Sequence, residues 1–546
     1  MESFLTHPML MGASKKVIVP AETDAEWIRS LGRHTGSDQS APKSGYLDKD
    51  TGMVYVTEQA MGTYKSGAQY SNVGNPAAIR KINQNGGIEW LKKHQLENTD
   101  TSGWNRDQCT CVTTDSEGNV ITAGYTKQPD GNAYAPFVLK LDENGSIEWA
   151  KLLGPRYGTS DYYGRSRNEA VAISCDSSDN IYVMGEKEDG SNGGSGSNTE
   201  RRYLLKLNSS GTEQWWKTLH VNKTSNEYYG DWPYLWDMRV VNSTILVAMT
   251  SGSYISLSKH SLSDGSVSWH KYFTYGTSSS DSNSTSTINR QSLRARRGTF
   301  DKNGVFSWCY SGKVGRIKTM DSTEANNTWI WLKDLDFDSS VSSSIEWTNS
   351  YKEAIGAVDN TDEVIYMCPA LWGGSVMYLP FHQRMFSFNS SGTVQWSRII
   401  ENEYMSQTSA EGTMGYPIHI TSDDNGHFYL FGTGPMIPNG TSSYNRQAVP
   451  HVIKHKANTA LPTGNFGNID YSTFTTGQYE IENFTPYTVS TTYTGYKHDF
   501  GSGLGVTLGN VPSAWSVSSL SNAADTGDNY SGRYREASTR LDLIDL

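Results

Sequence analysis

Residues 139–151 read LKLDENGSIEWAK, and the same cadence returns as RKINQNGGIEWLKK at 80–93, LKLNSSGTEQWWK at 205–217, KHSLSDGSVSWHK at 259–271 and FSFNSSGTVQWSR at 386–398. In each, an alternating run meets an Asp/Asn-Gly turn, and a second run then carries a tryptophan with Lys or Arg two residues later. NTWIWLK at 327–333 keeps the tryptophan and the lysine but has lost the turn glycine behind an insertion. AEWIRSLG at 25–32 matches IEWAKLLG at 147–154 almost position for position, although it precedes every complete unit. The seven tryptophans, Trp27, Trp90, Trp149, Trp215, Trp269, Trp331 and Trp396, lie 54 to 66 residues apart.

A second motif runs out of phase with the first, as DKDTGMVYV from Asp48, DSEGNVITAG from Asp115, DSSDNIYVMG from Asp176, VNSTILVAM from Val241, DKNGVFSW from Asp301, DNTDEVIYM from Asp359 and DDNGHFYLFG from Asp423. Asp/Asn and Gly supply tight-turn geometry, including positive φ, and the alternation after them has the period of a strand. Each unit therefore holds two hairpins. Four short strands cannot bury both faces alone, whereas radial stacking around an axis gives a continuous core. The expected fold is an all-β, seven-bladed β-propeller over 26–456, with residues 26–31 as outer strand of the last blade, antiparallel to 451–456. Residues 1–25 read as an N-terminal docking arm. Residues 457–546 read as a small C-terminal β-rich extension or arm.

Composition agrees with this reading. A length of 546 residues exceeds the roughly 150 of one compact domain, and 52 Gly, 32 Tyr and 16 Trp with 19% charged residues favour strands over helices. The net charge of -11, with no block rich in Lys and Arg, argues against a phosphate-driven nucleic-acid partner. No run approaches the roughly 20 apolar residues of a spanning helix, so membrane insertion is not expected. The opening MESFLTHPMLMGASKK lacks the basic region, apolar core and cleavage site of a secretory signal, so folding in the cytosol is expected. Five cysteines, Cys109, Cys111, Cys175, Cys309 and Cys368, include no CxxC and read as buried free thiols.

The turn-Gly-Trp pattern of SLSDGSVSW and KLDENGSIEW resembles the tryptophan-docking motif of quinoprotein-type propeller repeats, and is similar to repeats of bacterial and phage propellers of unknown function. The resemblance covers about 26–456 and implies blade architecture. Quinoprotein enzymes would imply a bound quinone, a calcium ion and an adjacent-cysteine disulfide. No two cysteines are adjacent here, so no cofactor and no metal is carried over. DKDTG and DDNG lack the 12-residue ligand pattern of a calcium loop. There is no HExxH, P-loop or GxGxxG after a strand, and GSGLG at 501–505 places Ser502 second rather than at the centre of a nucleophile elbow. No catalytic residue is assigned.

In a propeller the hairpin turns fall on one face, and here they are short. The remaining connections fall on the other face, and they are long. Trp104, Tyr157, Tyr162, Tyr163, Tyr228, Tyr229, Trp232, Tyr234, Trp372 and Tyr378 all belong to those long connections. Large, stiff, amphipathic rings on scaffolded loops suit packing of loop on loop, a protein partner or sugar rings. Arg294 and Arg296, assigned to the innermost strand of the fifth blade, are candidate anion ligands because alternation puts them on one side of the strand.

A Ser/Thr/Asn/Gly/Tyr-rich propeller with terminal arms and no export signal resembles virion structural proteins of tailed bacteriophages. That resemblance implies a non-enzymatic tail, nozzle, fibre or capsid-attached component, assembled in the host cytoplasm and carried in the virion. Its partners would be other virion proteins through both termini, and a host-surface glycan or receptor through the long-loop face. Two other readings remain open: a propeller glycoside hydrolase or lyase acting on surface polysaccharide with carboxylates from distant blades, and a cellular β-propeller scaffold.

Overall fold

The computed structural model describes residues 24–30, 42–59, 77–96, 107–127, 134–153, 168–188, 200–221, 235–251, 254–273, 298–310, 313–322, 326–336, 353–370, 382–402, 417–438 and 446–462, then 464–466, 479–483, 488–489, 506–510, 517–519, 524–525 and 543–545. Each repeat unit is an antiparallel meander of four strands, and there are seven. The first blade runs Pro42–Leu47, Val54–Gln59, Ala77–Ile82, Ile88–Gln95. The innermost strands of the next six blades are Gln108–Thr114, Glu169–Cys175, Leu235–Val241, Gly298–Phe300, Ala354–Ala357 and Pro417–Ser422. Each innermost strand packs on the next, and the seventh packs on the first, so the ring is closed. The molecule is a seven-bladed β-propeller.

The two motifs fold for reasons visible in their residues. At the inner hairpins, Asp115 Oδ1 accepts the backbone N–H groups of Glu117 and Asn119 at 3.0 and 2.9 Å. At the outer hairpins, Asn208 Oδ1 accepts those of Ser210 and Thr212 at 3.1 and 2.8 Å. Asp142, Asp176, Asp301, Asn389 and Asp423 repeat the arrangement. A side-chain acceptor thus organises the tight turn that the backbone must make. These aspartates are turn builders.

The apolar faces form seven buried clusters among the described residues, and each lies between successive blades. At the edge of each interface sits a repeat tryptophan. Trp90 Nε1 donates to Glu143 O of the next blade at 3.1 Å, Trp149 to Ser209 O at 3.2 Å, Trp215 to Leu262 O at 3.2 Å and Trp396 to Ala457 O at 2.7 Å. The lysine two residues on rests on the same neighbouring turn. A methyl group on Gly392 would lie 2.7 Å from Trp331 and 3.0 Å from Lys333, and one on Gly211 would lie 3.1 Å from Trp149 and 2.8 Å from Lys151. Those glycines, at φ 78° and 76°, are fixed both by backbone conformation and by the ring docked on them. Trp269 and Trp331 are buried in the same way, with no hydrogen bond to the indole nitrogen among the described contacts.

Closure uses the chain's beginning. Trp27–Ser30 pairs antiparallel with Arg446–Lys456, with Trp27 opposite Lys454 and Ser30 opposite His451. Trp27 Nε1 donates to Gln84 O of the first blade at 2.9 Å. Its ring, 1% exposed, packs with Tyr429, Phe431 and Val452 of the last blade and Leu47, Val54, Val56 and Ile82 of the first. Within the last blade Glu26 Oε2 lies 3.0 Å from Nδ1 of His455, an imidazole that burial holds below its ordinary pKa, and across the seam His419 Nδ1 bonds Gly45 O.

The described C-terminal strands attach to the outer edges of the blades. Tyr479–Asn483 pairs with the outer strand of the sixth blade, Val394–Asn402, and Gly464–Phe466 lies outside it. Thr488–Val489 then pairs with Trp329–Asp336 of the fifth blade, Val506–Asn510 with Glu213–Val221 of the third, Val517–Ser519 with Ile147–Leu153 of the second, and Ala524–Asp525 with Ile88–Gln95 of the first. Leu543–Asp545 finally pairs with Trp27–Ser30 itself. Every one of these pairings is antiparallel, so this segment is a belt that visits the blades in reverse order. Pairing starts at or beyond the tryptophan-plus-two residue in blades two, three and six: Lys151 faces Ser519, Lys217 faces Asn510 and Arg398 faces Asn483. The tryptophan and its cation take the neighbouring blade, and the belt takes the edge beyond them.

Two outcomes follow for stability. Trp27→Ala removes a fully packed ring and its hydrogen bond at the seam, and should cost about 3–5 kcal/mol; Ile330→Ala, at the 48% exposed Ile330, serves as the neutral control. Equal melting temperatures for the two variants would refute closure through Trp27. Second, burial holds His260, His270 and His451 down to about 4, against about 6.5 in an unfolded chain. Between those values the unfolded state takes up protons that the folded state refuses, so stability is full above about pH 6.5 and is lost as pH falls toward 4. The melting temperature should drop across that window and drop less in His451→Gln; a flat profile contradicts the assignment.

Candidate functional site

The inner hairpin turns converge at one mouth of the channel, and there the structure assembles a charged hub from four blades. Lys49, at the tip of the first blade's turn, pairs with Asp359 of the sixth and with Asp424 of the seventh, the latter at 3.2 Å. Lys302 of the fifth blade reaches Asp424 at 2.8 Å and Asn360 Oδ1, and its backbone N–H donates to Asp359 Oδ1 at 2.7 Å. Asn360 also donates to Asp424 O. Burial pushes the Asp424 carboxyl up, but the bond from Lys302 and the charge of Lys49 outweigh it and hold it below the usual carboxylate range. The hub ties together turns that are not adjacent around the ring. Across the mouth, Ser116 of the second blade donates through both N–H and hydroxyl to the Asp179 carboxylate of the third, each at 2.8 Å.

Below the hub lies a buried ion pair with a different role. Arg316, 2% exposed, reaches Asp301 within the fifth blade and bonds both the carbonyl and the carboxylate of Asp362 in the sixth at 3.0 Å. In the second blade Lys140 meets Asp115 at 2.9 Å and Glu148 at 3.3 Å. The second oxygen of a turn aspartate is thus met by a cation from the third strand of its blade. These carboxylates are engaged, with backbone donors on one oxygen and a cation on the other. Among the described residues, no group of three or more His, Cys, Asp or Glu side chains is placed to hold a metal. The five cysteines are free, and burial pushes the Cys109 thiol up to about 12 and Cys175 well above the usual range.

The aromatic candidates Trp104, Tyr157, Tyr162, Tyr163, Tyr228, Tyr229, Trp232, Tyr234, Trp372 and Tyr378 lie outside the described residues. The described strands that flank 97–106, 154–167, 222–234 and 371–381 have their facing ends opposite the hairpin turns. Arg294 and Arg296 also lie outside the described residues, and the fifth blade's innermost strand is described from Gly298. The hub itself was not singled out from sequence. Its signal was present, since Lys49, Lys302 and Asp424 each directly follow the turn aspartate of their motif. Only the ring brings those tips together.

No protein-family model matches the chain, and no curated protein matches it. Solved structures similar to it include the Dos1 propeller, at 9% identity over 80% of this chain and 98% of that one with a TM-score of 0.37. A quinohemoprotein alcohol dehydrogenase from Comamonas testosteroni is 12% identical over 82% of this chain and 79% of that one, with a TM-score of 0.34. The NanB sialidase from Streptococcus pneumoniae is 11% identical over 78% and 70%, with a TM-score of 0.36. At this distance no activity is transferred from any of them. The fold rests on the chain's own strand pairing.

The two ion-pair sites separate in a mutational test. Arg316→Met leaves a buried aspartate without its cation and should cost about 3–5 kcal/mol, whereas Asp424→Asn in the exposed hub should cost under about 1 kcal/mol, less at high salt. Urea unfolding at low and high ionic strength measures both, and equal losses would contradict the division.

Proposed function

We propose that the chain is a non-enzymatic structural component of a virion, a rigid ring that displays the long connections of one face to another subunit or to the host surface. The observation that carries this reading is the use of both chain ends to bind the ring. The N-terminal strand closes it, and the belt adds a strand to five of the seven blades before ending on that closing strand in the seventh. Such an arrangement covers exposed strand edges and fixes the seam from both sides, which suits a part that must hold its shape outside a cell. The hub ties four of the seven inner turns together at one mouth, and the long connections at the opposite strand ends carry the aromatic residues that suit contact.

Antibody raised against the purified chain should decorate virus particles in electron micrographs. The triple variant Tyr228→Ala, Tyr229→Ala, Trp232→Ala should weaken attachment to its partner surface by tenfold or more without moving the melting temperature. Release of new reducing ends from surface polysaccharide by the purified protein would replace this reading with the hydrolase or lyase.

A further inference from the structure

The belt's last step differs from the others. Neighbouring blades are linked by four residues between Asn483 and Thr488, six between Asn510 and Val517, and four between Ser519 and Ala524, while sixteen between Val489 and Val506 cover the two steps from the fifth blade to the third. Seventeen residues separate Asp525, on the first blade, from Leu543, on the seventh, although these blades are also neighbours. At about 3.6 Å per residue the link between Ser519 and Ala524 spans at most ~18 Å, while the one between Asp525 and Leu543 can span ~65 Å. The final strand therefore has far more chain than its own ring requires.

Its docking is also short. Leu543, Ile544 and Asp545 pair with Arg29, Ile28 and Trp27, and the partner edge belongs to the strand that closes the ring. Pairing of this kind is made by backbone groups, so the same edge on another copy offers the same hydrogen bonds in the same register. We propose that this strand is exchanged between copies: in a crowded assembly, Leu543–Asp545 of one chain completes the seventh blade of the next. An isolated chain captures its own strand, because even a seventeen-residue tether gives an effective concentration on the order of 1 mM, above that of dilute protein. Neighbours packed side by side reach that concentration, and then the two pairings compete. The partner is a second copy of this chain, and the contact surface is the outer edge of Trp27–Ser30. This inference is independent of the virion reading and would hold for any dense array.

Opposed cysteines test it in the full chain, with Cys175→Ser as background because the other four native cysteines are buried. The double variant Arg29→Cys, Leu543→Cys should cross-link within one chain at ~1 μM, where self-capture dominates. A mixture of the two single variants should yield a disulfide-linked pair of chains on non-reducing gels, rising several-fold as total protein approaches ~1 mM. Removing ten residues from 526–542 leaves seven, enough for one blade step, and should abolish the mixed product while sparing the in-chain cross-link. Exchange is overturned by a mixture that stays monomeric at every concentration while the double variant closes, by a mixed product that survives the shortening, or by a double variant that never closes.

Discussion

The structure depends on one repeated contact, the indole laid on the next blade's turn. A blade of four strands offers apolar side chains on both faces, and neither is buried until another blade arrives. The tryptophan sets how the neighbour arrives: Trp149 and Trp215 each rest on a glycine, Gly211 and Gly265, that has no side chain to displace the ring, and each donates its N–H to a carbonyl on the same turn. The lysine or arginine two residues later extends the contact along that turn. Both requirements act on the same few atoms of the adjacent blade, so each interface fixes angle as well as distance. Repeated around the axis, the angle closes the ring.

That contact is also why so much of the fold could be read from the chain. Trp27 stands apart from the other repeats in sequence, yet it carries the same Trp-x-Arg spacing, and its place at the seam follows from the need of the last blade for an outer strand. The turn aspartates were readable for a similar reason, since Asp115 and Asn208 must each present an acceptor two and four residues ahead of their own position. The belt was not readable in this way. Thr488–Val489 and Ala524–Asp525 are too short to show a period, and they are held by backbone bonds that almost any residue can make. The hub at Lys49, Lys302, Asp359 and Asp424 lies between these cases. Its residues stand at matching places in the turn motif, but charge complementarity among turns two blades apart exists only once the ring is closed.

Buried and exposed charges are used differently in the two layers of that mouth. Arg316 sits where water is excluded, so its partners must satisfy it fully, and it ties the fifth blade to the sixth. Lys49 and Lys302 sit where water competes, so their pairs add little energy individually. Their effect is to relate turns that do not touch through the core. The histidines of the seam add a third kind of constraint, being accommodated only without charge, which makes closure sensitive to acid in a way that the aliphatic cores are not.

The order in which the belt meets the blades has a topological consequence. Going from the closing strand through the seven blades carries the chain once around the channel axis, and the belt carries it once around in the opposite sense, back to the blade where it began. Among the described strands the belt thus retraces the ring, and the last strand of the chain meets the first at the very seam that the first one closes.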